Sequence, residues 1–148
     1  MFPLTPRQQF VWYSTCYIGT WYSWGGDDPE GFDCSGLVVE SLKSVGLMNR
    51  KDDLTADGLY RRYGKWNTLL PNYGCLVFWM NDENHVTHVE IAISTKYSIG
   101  ASGGTSRTRT KADAMKDGAF IKIRPIKLRG SHRLVYADPI LSLEGETP

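Results

Sequence analysis

The sequence predicts an α+β domain, with helices gathered in its amino-terminal part and an antiparallel sheet built from the remainder of the chain. Three observations carry that expectation. Helix caps and apolar residues at helical spacing lie before residue 64, short runs of branched and aromatic residues lie after residue 75, and the two patterns do not alternate as parallel crossovers require.

The first helix is expected over about Pro6 to Ile18. Thr5 supplies a hydroxyl cap, Pro6 fits the first helical position, and Gln8 completes a capping box. Phe10, Tyr13 and Tyr17 recur at helical spacing, and Gly19 ends the run. From Gly19 to Phe32 the chain is rich in glycine, aspartate and tryptophan and contains Pro29, which predicts an ordered loop.

A second helix is expected to begin near Cys34, with Asp33 at the cap position and Gly46 as its stop. Leu37, Val38, Leu42 and Val45 fall on one side of it, and Glu40, Ser41, Lys43 and Ser44 mostly on the other. Thr55 to Tyr63 forms a short helical candidate before the turn at Pro71 to Gly74. The runs Leu76 to Trp79, His88 to Ser94, Phe120 to Arg124 and Leu134 to Ala137 are the expected strands. One domain is expected over residues 1–148, with 141–148 as a fraying tail.

A formal charge of +1, from 17 basic and 16 acidic residues, gives no broad field for holding nucleic acid or an anionic membrane, so neither is expected as a partner. Three widely spaced cysteines, Cys16, Cys34 and Cys75, fit neither a disulfide framework nor a zinc knuckle. No stretch reads as a membrane span or a secretory signal, including Met1 through Phe10, and the chain reads as soluble.

Cys34 sits where unpaired helix amides favour negative charge, an arrangement expected to lower a thiol's pKa. From position alone, an inert buried thiol is an equal alternative. The segment Gly31-Phe32-Asp33-Cys34-Ser35-Gly36 tilts the balance, because small neighbours let a substrate approach the sulfur. Cys16, in the aromatic first helix, and Cys75, at the start of an apolar strand, fit the inert reading. A thiol nucleophile also needs a base, and imidazole is the side chain suited to it. Of His85, His88 and His132, only His88 opens an alternating strand, with His88, Glu90 and Ala92 on one face and Val89, Ile91 and Ile93 on the other.

The run Tyr17-Ile18-Gly19-Thr20-Trp21-Tyr22-Ser23-Trp24-Gly25-Gly26, followed by Gly31-Phe32-Asp33-Cys34-Ser35-Gly36-Leu37-Val38, resembles the signature of the NlpC-type cell-wall peptidases. Gly74-Cys75-Leu76-Val77-Phe78-Trp79 and His88-Val89-Glu90-Ile91-Ala92-Ile93 resemble two further strands of that family, in matching order and spacing. The resemblance runs from the first helix to about Ser102. It implies a papain-like cysteine peptidase fold and hydrolysis of γ-D-glutamyl bonds in peptidoglycan stem peptides, with no metal or organic cofactor.

It also implies roles for the matched positions: Cys34 and His88 in catalysis, and Tyr22, Asp33 and Ser35 in substrate or oxyanion binding. Asp33 has the alternative of simply capping its helix, and Tyr22 that of packing in the core. Where many members carry a third polar residue that orients the imidazole, this chain puts Gly100, leaving Ser98, Ser102, a backbone carbonyl or water for that duty. Cys75 replaces the family's usual aspartate, with an effect expected on packing.

The basic segment Gly103 to Lys111 lacks the spacing of a phosphate loop and reads as a mobile, solvated loop. Alternatives to the peptidase reading are a wall amidase or acyltransferase on the same scaffold, and a catalytically silent wall-binding or structural domain. With no export signal read, a bacteriophage tail or lysis protein, or a protein exported by a dedicated route, fits the expected substrate.

Overall fold

The computed structural model describes residues 3–28 and 30–148. Pro29 and the first two residues of the amino terminus lie outside the described residues. Helix α1 spans Pro6–Thr15 and opens with the expected capping box: the Gln8 amide donates to the Thr5 hydroxyl at 3.2 Å, and the Gln8 side chain accepts from the Thr5 amide at 3.0 Å. It ends one turn earlier than the expected Ile18, leaving Cys16 exposed at its C-cap and not packed in the helix.

The loop after α1 contains a two-residue ribbon, β1 (Asp27–Asp28) with β2 (Gly31–Phe32), and leads into α2 (Cys34–Lys43). The helix α3 (Ala56–Tyr63) comes next, capped by Thr55 as its sequence predicts. A six-stranded antiparallel sheet completes the fold. Its strands are β3 (Asn67–Thr68), β4 (Leu76–Met80), β5 (Val86–Ala92), β6 (Tyr97–Ser102), β7 (Phe120–Pro125) and β8 (Arg133–Ala137), in the order β3-β8-β4-β5-β6-β7. The α+β class is therefore as the sequence predicts.

Two local expectations change. Helix α2 is buried nearly all round: Ser41 has no exposed surface because its hydroxyl turns back to the Leu37 carbonyl at 2.7 Å, which satisfies the polar group inside the core. The basic segment before residue 111 is tied down by side chains. Thr108, fully buried, donates to Asp117 at 3.1 Å, and Thr110 and Asp113 form a capping box for α4 (Lys111–Asp117). After β8 comes a helical turn, α5 (Ile140–Leu143). Ile140 is fully buried, and the Trp66 indole donates to the Glu146 carbonyl at 2.9 Å.

The sheet has two faces with different work. Leu76, Phe78, Val89, Ile91, Ile99 and Ile121 point into the main core with Leu37, Val38 and Leu42 of α2, Leu59 of α3 and Phe10 of α1. Each such side chain stabilises the fold by roughly 1.5–3 kcal/mol when fully buried. The other face carries the smaller cluster of Cys75, Val77, Trp79 and Ala92, with Leu134 and Tyr136 against it. Cys75 is fully buried, 3.8 Å from the Thr68 hydroxyl, in the packing role expected of it. Because side chains alternate along β5, residues 88, 90 and 92 belong to this second face, while Val89 and Ile91 anchor the strand to the helices.

Candidate active site

Asp33 sets the start of α2. One carboxylate oxygen accepts from the Gly36 amide at 2.7 Å and from the Ser35 hydroxyl at 3.3 Å, and the other accepts from the Gly25 amide at 2.9 Å. Both oxygens are thus committed to the cap and to the preceding loop. Its carboxyl is pushed up by burial, against the pull of these hydrogen bonds. The capping alternative is therefore realised in full, although Asp33 also lines the cleft.

Gly36 is dictated by close approach. A Cβ there would overlap the Gly26 carbonyl oxygen and come within 2.9 Å of the Asp33 carboxylate. The glycine lets the first turn of α2 lie directly on the aromatic loop, which fixes the position of Cys34. Tyr22 is held in the same loop, 4% exposed, and its phenol is pushed above its ordinary range, by burial first and then by the neighbouring Cys34 and Asp33.

Cys34 itself is partly exposed and lines a cleft of about 720 Å³. Here the expectation of a lowered pKa fails. Desolvation pushes the thiol up to about 12, outweighing the Val89 and Ser35 amides that favour the thiolate, while the charges of Asp33 and Glu90 raise it further. A helix terminus lowers a thiol's pKa through partial charges, and the loss of water at this depth costs more. Burial here thus favours the protonated thiol over the thiolate.

His88 lines the same cleft from β5, next to the Val89 amide that reaches the sulfur. Its Nε2 lies 2.6 Å from a Glu90 carboxylate oxygen, and the edge of its ring meets Trp79 with centroids 5.1 Å apart. Sequence pattern alone gives Glu90 a face of β5 and no role in the site. It is fully buried and also accepts from Ser98 at 2.7 Å, Arg124 at 2.9 Å and Arg129 at 3.2 Å. Burial raises its carboxyl, but His88, Arg124 and Ser98 overcome that and hold it below the ordinary carboxylate range.

The three positions considered for orienting the imidazole fare differently. Ser98 touches Glu90 and not the ring. Ser102 is buried, and its hydroxyl is the one buried side-chain polar atom without a partner among the described residues. Gly100 has no side chain to offer, and a Cβ there would overlap the Glu90 side chain, with the carboxyl carbon at 2.9 Å.

Residues given no role in the sequence reading complete the lining of the cleft. Leu54, Thr55 and Asp57 line it with His85, whose Nδ1 is 3.5 Å from the Asp57 carboxylate. Trp24, Gly104 and Thr105 contribute a further stretch of wall. The basic segment contributes to this wall, since the Trp24 amide donates to the Thr108 carbonyl at 2.8 Å and Gly104 lies flat against the Tyr22 ring. Among the described residues there is no group of three or more histidine, cysteine or acidic side chains able to hold a metal ion, and no helix is long and apolar enough to cross a membrane.

The model of the NlpC/P60 family matches residues 19–140. A probable endopeptidase of Mycobacterium tuberculosis is 42% identical over 41 residues, which is 28% of this chain and 11% of that protein's length. The NlpC/p60 domain of the peptidoglycan hydrolase SagA superposes with a TM-score of 0.63 at 22% identity, covering 90% of this chain and 99% of that one. RipD of Mycobacterium tuberculosis, described as a non-catalytic NlpC/p60 domain protein adapted to peptidoglycan binding, superposes with a TM-score of 0.65 at 13% identity, covering 91% and 98%. At these identities the two structures show a shared fold.

Proposed function

The chain belongs to the NlpC/P60 family, and from that footing we propose that it is a cysteine peptidase cutting γ-D-glutamyl bonds in peptidoglycan stem peptides. The observation that carries this reading is the meeting of two independent elements in one open cleft: a thiol at the start of α2 and an imidazole on β5.

The chemistry comes from the two side chains. His88 takes the thiol proton as Cys34 attacks the carbonyl carbon, so the thiolate exists only as the imidazolium forms beside it. The carbonyl oxygen becomes an oxyanion, for which the Tyr22 phenol is the donor of choice on the cleft wall. Collapse breaks the C–N bond, His88 returns its proton to the leaving amine, and a thioester remains on Cys34. Water, deprotonated by His88, then hydrolyses the thioester and restores the thiol. Trp24, Thr105, Leu54, Asp57 and His85 are surfaces of the cleft that a stem peptide meets.

Incubation with peptidoglycan fragments is the test, with products read by mass spectrometry. Release of peptides cut after the γ-D-glutamyl residue is expected, falling about 1,000-fold or more in Cys34→Ala. Full release by Cys34→Ala refutes the assignment of the nucleophile. A second reading, a wall-binding domain without turnover, draws on the desolvated Cys34 thiol. It predicts retained binding to wall fragments with no cleavage by the wild-type protein.

A further inference from the structure

We propose that Glu90 is the positioning residue that orients His88, a duty moved from the neighbouring strand β6 onto the histidine's own strand. This rests on the reading of Cys34 and His88 as nucleophile and base. It assigns the orienting role to a residue two positions beyond the base, in place of the empty position 100.

The register of the sheet explains how the move is accommodated. Ile91 pairs with Ile99 and Ala92 with Ser98, so the same ladder sets Glu90 opposite Gly100. Any side chain at position 100 would occupy the space that Glu90 now fills, as the overlap of a Cβ with its side chain shows. Gly100 on β6 and the buried carboxylate on β5 are therefore complementary: the glycine leaves the volume open, and the glutamate fills it.

A buried carboxylate is costly unless it is paired, and the surroundings of Glu90 are built to pair it. One oxygen accepts from Ser98. The other is shared by His88 Nε2, Arg124 from β7 and Arg129 from the segment between β7 and β8. Arg129 also lies over the Trp79 ring at 4.6 Å, and Trp79 in turn packs edge-on against His88 while its indole donates to the Lys127 carbonyl at 2.7 Å. This shell shields the His88–Glu90 bond from water and keeps the carboxylate in one orientation. An ionised carboxylate is an acceptor only, so the proton in the 2.6 Å contact belongs to Nε2. That fixes the tautomer: Nδ1 is left with its lone pair free to take the proton of Cys34.

The titratable and charged groups that share the imidazole's surroundings are Glu90 on its own strand, Arg124 and Arg129 beyond the carboxylate, and Asp33, Cys34, Asp57 and His85 on the common cleft. Removing the carboxylate charge leaves the two arginines unopposed. The acidic limb of kcat/KM, which reports protonation of the base, then moves to lower pH.

Glu90→Ala, Glu90→Gln and the double variant Glu90→Ala with Gly100→Asn test the assignment against the wild type. Nitrogen-15 NMR of the histidine ring is recorded on each protein, and kcat and KM are measured with a stem-peptide substrate. Expected are a wild-type ring protonated at Nε2, a mixed tautomer in Glu90→Ala, and a kcat about 100- to 10,000-fold lower with KM within about threefold. Glu90→Gln keeps a neutral acceptor and the wild-type tautomer, with its acidic limb shifted down. The double variant recovers about tenfold or more of the lost kcat, because an orienting group is supplied from position 100 on the adjacent strand. The NMR readout does not depend on turnover, so a fixed Nε2–H tautomer in Glu90→Ala overturns the proposal whatever the substrate. A kcat in Glu90→Ala within twofold of wild type, or a double variant no faster than Glu90→Ala, overturns it as well. Turnover that survives Cys34→Ala instead condemns the underlying peptidase reading.

Discussion

The two halves of the candidate site are built in opposite ways. The half that holds the proposed nucleophile is local in sequence: Asp33 caps its helix by accepting the Gly36 amide three residues ahead, receives the Gly25 amide eight residues back, and Gly36 seats on Gly26. The half that holds the proposed base is assembled across the sheet, with Arg124 and Arg129 reaching Glu90 from 34 and 39 residues away. The first half positions a neutral, desolvated thiol with backbone amides. The second concentrates charge around one imidazole and hides it. The division places the burden of ionisation on the base, since the thiol cannot hold a negative charge by itself at this depth.

The sharpest way to break that division is to remove the base and watch the sulfur. Alkylation of Cys34 is best followed by mass spectrometry in a Cys16→Ser background, because Cys16 is exposed. With a thiol pushed up to about 12, loss of His88 leaves almost no thiolate at neutral pH. His88→Ala is expected to slow alkylation about 100-fold or more at pH 7 and to recover only in strongly alkaline solution. Equal rates with and without His88 mean that the helix terminus activates the sulfur alone.

A smaller effect is expected from the seat of the nucleophile. Gly36→Ala forces a Cβ into the Gly26 carbonyl and the Asp33 carboxylate, and is expected to cost about 1–3 kcal/mol in thermal unfolding. It should lower kcat without moving the pH profile, because no charge near His88 changes. A shifted acidic limb in this variant would mean that the two halves are not separable.

The smallest effect concerns pH and stability on the base side. The Glu90 carboxyl is held below its ordinary value of 4.5, so the unfolded chain binds its proton more readily than the folded one. Its contribution is complete above about pH 4.5 and is lost as pH falls through the lower folded value. Glu90→Gln cannot titrate, so its melting temperature is expected to fall less steeply than that of the wild type on acidification below that point. Parallel slopes would place the acid sensitivity elsewhere, for example at Asp57, whose carboxyl is also lowered.

The same contrast explains what is legible in the sequence. The cap, the glycine and the cysteine of α2 lie within a few residues of one another, so their spacing carries the geometry. The alternation along β5 also gives the faces of His88 and Glu90 correctly. The meaning of Glu90 depends on Gly100 standing opposite it, and strand register is a tertiary fact. Strand β6 is hidden from pattern because Ser98, Gly100, Ala101 and Ser102 are small residues of weak strand preference. Helix α4 buries only Ala114 and so has little apolar periodicity, although Thr110 and Asp113 spell a capping box that marks its start. The pKa of Cys34 runs against its motif because a motif shows the helix terminus and not the depth of the cleft above it.

In the proposed reaction an acyl group passes covalently through the Cys34 sulfur while His88 carries the proton. Acid quenching during turnover of a peptidoglycan stem peptide, with peptide mapping of the quenched protein, reads that intermediate. A thioester adduct of the γ-D-glutamyl fragment is expected on Cys34, absent from Cys34→Ala and scarce in His88→Ala. Steady product release with an unmodified Cys34, or an adduct mapping to another residue, would contradict it.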